Sequence, residues 1–434
     1  MASGARVAVS ATRRLGLDLP RLVGRCSWLG WAVLGLAAAA GMVRLAGALV
    51  EGMSSGHDFV QDYAAIHAIV SGKNPYEPYN DVTQALFGGP PHRGKLYNFH
   101  APSSLIFFLP LLPLPYGGAF VAWGLLSLAC LWAVCAVVLK MLGVAKPAVI
   151  GGLGALGLVA LPPIRENFLE GQLNAVVAAG MVGMWAAQRS GRSTLAGMCL
   201  GAAFALKPIP GLFYLYYLWR REWRLLVTAS LVFGLFNLIG LGLAGLDGFW
   251  LYATVNYPDH ASYWPGYPDN ASLRGLFTRL FGPDTWQRPA FPLPGAALAL
   301  WIASSVALAG LAWLAARRAD RTLEQADLEF AALGVLSLLA TPIVWPHYYV
   351  VLVPALLILV SRLWRGAWRG RRWGWLGLAI LTVQIGLLST AHYEEPYREV
   401  GTQQLVALLL TYGVAVAVLR PHPQPPLPKR GRGG

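Results

Sequence analysis

Apolar runs of helix length recur along almost the whole of this chain, separated by short polar connections, and this pattern constrains the fold more than any other feature. The first runs from Ser27 to Val50, and others follow at about 117–141, 147–163, 172–187, 193–206, 208–219, 225–245, 291–315, 327–342, 347–361, 373–391 and 402–419. That makes about twelve membrane segments, several shorter than the ~20 residues of a simple span. Only 12% of the 434 residues are charged, against roughly a quarter in soluble domains. Runs of this length satisfy their backbone in lipid only as helices, so the expected class is an all-α integral membrane protein. The short runs are bounded by Pro162-Pro163, Pro208, Pro342 and Pro346, which read as broken helices lining protein or a polar cavity. The Pro-broken stretch Ala101 to Pro115 is too short to span, and is expected to lie at the interface or to re-enter it.

The charge pattern orients the segments. Formal net charge is +14, yet the basic residues fall in clusters on every second connection: Lys140/Lys146, Arg189/Arg192, Arg220-Arg221/Arg224, Arg317-Arg318/Arg321, Arg362 to Arg372, and the tail from Arg420 to Arg432. This is the positive-inside pattern of a protein surrounded by membrane lipids, not a nucleic-acid-binding surface. Both termini are then cytoplasmic, and the loops 51–100 and 246–290 lie outside the cell or inner membrane. Arg6, Arg13, Arg14, Arg21 and Arg25 precede the first run, which reads as an uncleaved anchor. Residues 1–420 read as one polytopic domain and 421–434 as a disordered tail. Cys26, Cys130, Cys135 and Cys199 read as small buried hydrophobes. No His/Cys/Asp cluster has metal-ligand spacing, so neither a metal nor another cofactor is expected.

The outer connections collect the polar chemistry. His57, Asp58 and Asp62 follow the first run. Four residues apart, Asp58 and Asp62 share a helix face, where two like charges hold one pKa up and suit a general base. Solvated carboxylates at a membrane border are the competing reading. Asn74-Pro75-Tyr76, Glu170-Gly171-Gln172 with Asn174, Lys207-Pro208, Asn270 to Gly275 with Arg274, and Trp345-Pro346-His347 stand near the outer ends of other segments. A lysine ending an apolar run requires an anion or a snorkelling route to water. Gln172 and Asn174 also fit interhelical hydrogen bonding, and His347 an interfacial hydrogen-bonded residue. The rings Trp250, Tyr252, Tyr257, Tyr263, Trp264 and Tyr267 fit an interfacial belt or a sugar-binding cleft.

Taken in order, these clusters resemble the polyprenyl-phosphate-mannose-dependent mannosyltransferases of glycosyltransferase family 87. The matching features are Asp58 with an alanine-rich turn and Ser-Gly-Lys-Asn-Pro-Tyr (Ser71 to Tyr76); Gly-Gln-Leu-Asn (Gly171 to Asn174); Ala-Leu-Lys-Pro-Ile-Pro around Lys207; Asn-Ala-Ser-Leu-Arg-Gly (Asn270 to Gly275); and Thr-Pro-Ile-Val-Trp-Pro-His (Thr341 to His347). The resemblance runs from about Asp58 to Tyr349, and it implies a GT-C fold with an outward-facing site and a lipid-phosphate sugar donor. It makes Asp58 the catalytic base, supported by His57 and Asp62. Lys207, Arg274 and His347 fall around the donor phosphate, with Gln172, Asn174, Asn270, Trp345 and Tyr76 in the donor or acceptor groove. There are departures: Asp62 stands where the family usually has an aromatic, His100-Ala101-Pro102 replaces Tyr-Pro-Pro, and Thr341 replaces serine.

The implied reaction is inverting transfer of a sugar, favoured as mannose, from a polyprenyl-phosphate donor to a lipid-linked or glycan acceptor. One carboxylate takes the acceptor hydroxyl proton opposite the departing phosphate. Cationic groups stabilise the charge that the phosphate gains. The phosphate's second pKa near 6 makes protonation of the leaving group unnecessary. The alternative is a transporter or flippase of lipid-linked sugars, which expects ionisable residues at mid-membrane. Here Arg44 is the main charge inside a run.

Overall fold

The computed structural model describes residues 28–55, 58–88, 96–282, 286, 288–293, 295–317, 322–368, 374–381 and 400–419. His57, the N-terminal arginines, Cys26, residues 382–391 of the run expected at 373–391, and the tail from 420 lie outside the described residues.

The described residues form helices and no strands. The apolar runs fold into α1 (Trp28–Ser55), α4 (Tyr116–Met141), α5 (Pro147–Val159), α10 (Trp223–Leu251), α13 (Ala296–Ala316) and α16 (Val400–Leu419). Polar or shorter segments form α2 (Phe59–Val70), α3 (Asn80–Phe87), α6 (Pro162–Leu169), α7 (Asn174–Arg189), α8 (Ser193–Leu206), α9 (Gly211–Arg220), α11 (Tyr257–Tyr263), α12 (Leu273–Phe281), α14 (Leu323–Ala340) and α15 (Val353–Trp368).

Among the described residues six segments are long and apolar enough to cross a membrane, those of α1, α4, α10, α13, α15 with the 3₁₀ turn before it (346–366) and α16, and seven if α5 and α6 count as one span broken by 86° at Pro162-Pro163. The count of about twelve is therefore not reached among the described residues. At ~1.5 Å per residue, the 16 residues of α7 and 14 of α8 fall short of a ~30 Å hydrocarbon core. Apolarity in these two helices serves packing against protein: α8 lies between α7 and α10, with Ala196, Leu200 and Ala203 fully buried. By contrast α1, α10 and α13 leave Val43, Leu231, Leu238 and Val306 exposed, a surface suited to lipid and not to water. The stretch after Ala101 folds into two 3₁₀ turns, Pro102–Phe107 and Leu109–Leu111, the first packed on α10.

The bundle has two chemically different ends. At one, the arginines of the basic connections meet the acids that open α14: Arg189 pairs with Asp327, Arg220 with Glu329 and Arg362 with Glu324. Trp185 Nε1 also donates to Asp327 (3.0 Å), and Arg365 donates to the Leu142 carbonyl (2.8 Å). Antiparallel α7 and α14 run from this end to the other, where Asn174 opens α7 and residues 341–347 follow α14. Asp58, Lys207 and His347 gather there.

Candidate active site

Asp58 stands at the N-terminal boundary of α2, and its side chain does not cap that helix. What fixes it is its neighbour. The Phe59 ring is fully buried among Phe108, Tyr116, Phe120 and Trp123, with centroids 5.3–6.4 Å away. The Phe59 amide donates to the Glu170 carbonyl (3.0 Å) and the Asp58 amide to Glu170 Oε2 (3.4 Å). Gly171 makes this approach possible: its φ is +64°, and a Cβ there would lie 2.6 Å from that of Phe59. Gly171→Ala is therefore expected to remove no polar group yet misplace Asp58. Backbone strain of about 1–2 kcal/mol plus the clash should lower the thermal midpoint, and turnover should fall at least about tenfold. Parallel thermal and turnover assays on the variant check this.

The glycine brings Gln172 against the carboxylate, opening a chain of hydrogen bonds. Gln172 Nε2 donates to Asp58 Oδ2. Lys207 Nζ donates to Gln172 Oε1 (2.7 Å) and Asn174 Oδ1 (3.0 Å). Asn174 Nδ2 donates to Asn167 Oδ1 (3.2 Å) and the His347 carbonyl (3.1 Å). An ammonium only donates and a carboxylate only accepts, so both amides have one consistent orientation. Lys207 does not snorkel. It is buried at the C-terminus of α8, where the helix dipole favours a cation, and its ammonium lies 4.3 Å from the Tyr348 ring centroid. Burial pushes the Lys207 amine down to about 7, with the Asp58 and Asp62 charges pulling the other way.

Asp62 has a different partner from the one its spacing suggests. It is fully buried, which excludes a solvated border, and both its oxygens face His100 Nδ1 (2.8 and 3.0 Å). Residues 96–100 fold back over α2 to make the pair. Gln61 Oε1 accepts from the Phe99 amide (2.9 Å), Asn98 Oδ1 accepts from the His100 amide (2.8 Å), and the Tyr76 hydroxyl donates to the His100 carbonyl (2.9 Å). A short π-helical turn, Tyr252–Asn256, presents Asn256 Nδ2 to the carbonyls of Tyr76 (2.9 Å) and Asn98 (3.2 Å).

The remaining candidates divide by environment. His347 is buried and neither ring nitrogen meets a partner among the described residues, while Lys207 and His100 lie within its electrostatic reach. Tyr76 is fully buried, its hydroxyl used on His100. Asn270 is a latch: its side chain bonds the Pro265 and Pro342 carbonyls and the Ser272 and Val344 amides. Gly275 gives it room, since a Cβ there would meet the Asn270 carbonyl oxygen at 2.6 Å. Arg274, half-buried, lies over the Trp301 ring (5.4 Å) and not in the Lys207 network. Trp345 joins Trp264 and Tyr267 in a ring cluster with Tyr263 and Trp286.

Sequence reasoning about the site missed His100 and His260. His260 packs on Phe99 (4.7 Å), its Nδ1 has no partner among the described residues, and it too lies within electrostatic reach of Lys207. The signals were present, in His100 just before the Pro-broken stretch from Ala101 and in the ring-rich loop holding His260. No group of three His, Cys, Asp or Glu that could hold a metal ion occurs among the described residues.

An all-helical bundle with membrane-length helices, and a carboxylate linked through one glutamine to a buried lysine, defines a polytopic membrane protein with a charged site at one end. The sequence matches the model of glycosyltransferase family 87 over residues 98–342, and the chain belongs to that family. It is 28% identical over 334 residues to the polyprenol-phosphate-mannose-dependent alpha-(1-2)-phosphatidylinositol pentamannoside mannosyltransferase of Mycolicibacterium smegmatis, covering 74% of this chain and 76% of the relative. It is 30% identical over 325 residues to the polyprenol-phosphate-mannose-dependent alpha-(1-2)-phosphatidylinositol mannoside mannosyltransferase of Mycobacterium tuberculosis, covering 68% and 72%. No solved structure matches the chain significantly.

Proposed function

We propose that this glycosyltransferase, of GT-C type, moves mannose from a polyprenyl-phosphate donor to a lipid-linked or glycan acceptor at the outer membrane face, with inversion. Its relatives' acceptors, phosphatidylinositol mannosides, indicate the acceptor class. The observation that carries the mechanism is the Asp58–Gln172–Lys207 chain. Asp58, which is exposed, takes the proton of the attacking hydroxyl. Lys207, one glutamine away, meets the phosphate on which charge develops. The imidazole of His347, with no hydrogen-bond partner among the described residues, adds a second contact to that phosphate, and Arg274 a more distant positive charge. Trp345 and its ring cluster offer faces for sugar stacking.

Sidedness is supported by the gathering of Arg189, Arg220, Arg362 and Arg365 at the end opposite the site, as cytoplasmic basic connections would be. A transporter reading gains nothing from the charges, since Asp58 and Lys207 sit at helix ends and Arg44 lies on an exposed face of α1.

The test uses right-side-out membrane vesicles containing the protein and radiolabelled polyprenyl-phosphate mannose, with a short-chain, membrane-impermeant mannoside added outside. Labelled product is expected without permeabilisation. Product only after permeabilisation would overturn the outer-face assignment, and labelling from a sugar nucleotide alone would overturn the donor.

A further inference from the structure

Asp62 and His100 lie 38 positions apart in the sequence, and the structure makes them partners. Asp62 is fully buried and His100 11% exposed on its side chain, with Nδ1 2.8 Å from the carboxylate. A carboxylate removed from water is strongly destabilising unless paired and hydrogen-bonded. The imidazole supplies that partner, and in turn has its ring orientation set by the carboxylate. Bonds from Asn98 and Tyr76 to its backbone hold the residue from both sides. With Nδ1 committed to Asp62, Nε2 is the ring atom left for a ligand. The rings of His260 and His347 both lie within electrostatic reach of His100 and of Lys207. Geometry ties both to this end of the bundle: His260 packs on Phe99, the neighbour of His100, and Asn174 bonds both the His347 carbonyl and Lys207 Nζ.

We propose that His100 is a further catalytic residue: its Nε2–H donates to the donor phosphate, with Asp62 as the positioning residue that holds the ring and balances its charge. The inference rests on the reading of Lys207 as a phosphate contact. With Asp62 accepting from Nδ1–H, Nε2 donates to the phosphate when the ring carries both protons. As the anomeric C–O bond breaks, its electron pair stays on the phosphate oxygen. The hydrogen bond from Nε2 strengthens as that charge grows, and no proton need be transferred.

The test measures binding of a short-chain polyprenyl monophosphate, with the matching polyprenol as the phosphate-free control, to the full chain in lipid nanodiscs. His100→Ala should weaken binding of the phosphate about 10–100-fold and leave polyprenol binding unchanged. His100→Gln, which places an amide donor near the position of Nε2, should recover most of the loss. Asp62→Asn keeps the ring but removes the carboxylate that holds it and balances its charge, and should weaken phosphate binding while sparing polyprenol. Equal loss of both ligands in His100→Ala and His100→Gln would make the pair a structural latch and overturn the proposal. Normal phosphate binding in both His100 variants would overturn it too, while loss in Lys207→Met would keep the Lys207 assignment. Normal binding in Lys207→Met as well would remove the phosphate site on which the inference rests.

Discussion

Asp58→Asn is expected to abolish mannosyl transfer while leaving donor binding nearly intact. The substitution keeps the side chain's size and its acceptor oxygen, so Gln172 Nε2 retains its partner and the bonds from Lys207 to Gln172 persist. What is lost is the capacity to take a proton at neutral pH. Removing a general base lowers rate by about 10²–10⁴-fold, and the loss should appear in kcat with little change in the donor's dissociation constant. Asp62→Asn is expected to reduce transfer less, because Asp62 acts through His100 and has no exposed oxygen for an acceptor hydroxyl. Single-turnover measurements with saturating donor separate the two. An inactive Asp62→Asn beside an active Asp58→Asn would exchange the roles, and full activity in both would remove the carboxylates from the mechanism.

Lys207→Met should produce the second large effect. Methionine fills much of the same volume but supplies no donor to the phosphate, and it leaves Gln172 Oε1 and Asn174 Oδ1 without their ammonium partner. Losing one group that stabilises developing charge lowers kcat by about 10²–10³-fold, or about 3–4 kcal/mol. Arg274→Ala should cost less, since Arg274 is engaged with Trp301 outside that network. A pH signature accompanies Lys207. With burial pushing the amine down to about 7, the cation is present below that pH and lost above it. An arriving phosphate favours the charged form, so donor binding takes up a proton above pH 7. Donor affinity should therefore fall as pH rises above 7 in the unmodified chain, by at most about tenfold per unit, and this dependence should be absent in Lys207→Met. Donor titrations at several pH values check it. Equal turnover in Lys207→Met and the unmodified chain would place the leaving phosphate elsewhere.

Several of these residues are legible in the chain's linear order. Asp58, Gln172, Asn174, Lys207 and His347 each stand where an apolar run meets a polar connection, and the alternation of basic connections puts all of them on one side. The structure brings these five together. Tyr76 and Asn270 belong to the same pattern, yet fold as internal latches with their polar atoms engaged by the chain itself. Sequence marks that a polar group sits at a helix end, but not whether it turns toward a ligand or toward a neighbouring loop.

What sequence alone determined is the class, the helical content and the family of this chain, because hydropathy, charge alternation and ordered motifs are properties of consecutive residues. The tertiary structure decided the rest. Hydropathy scores α7 and α8 as apolar whether their neighbours are lipid or protein, so the number of long spans emerged only from helix lengths and packing. Partner choice is likewise non-local: Asp58 meets a glutamine 114 positions away, and Asp62 meets a histidine 38 positions away instead of the acid four residues before it. For Asp62 burial selects the partner, since a carboxylate leaving water requires the donor that the folded chain delivers to it; exposed Asp58 is set against Gln172 by the Phe59–Glu170 backbone bond beside it.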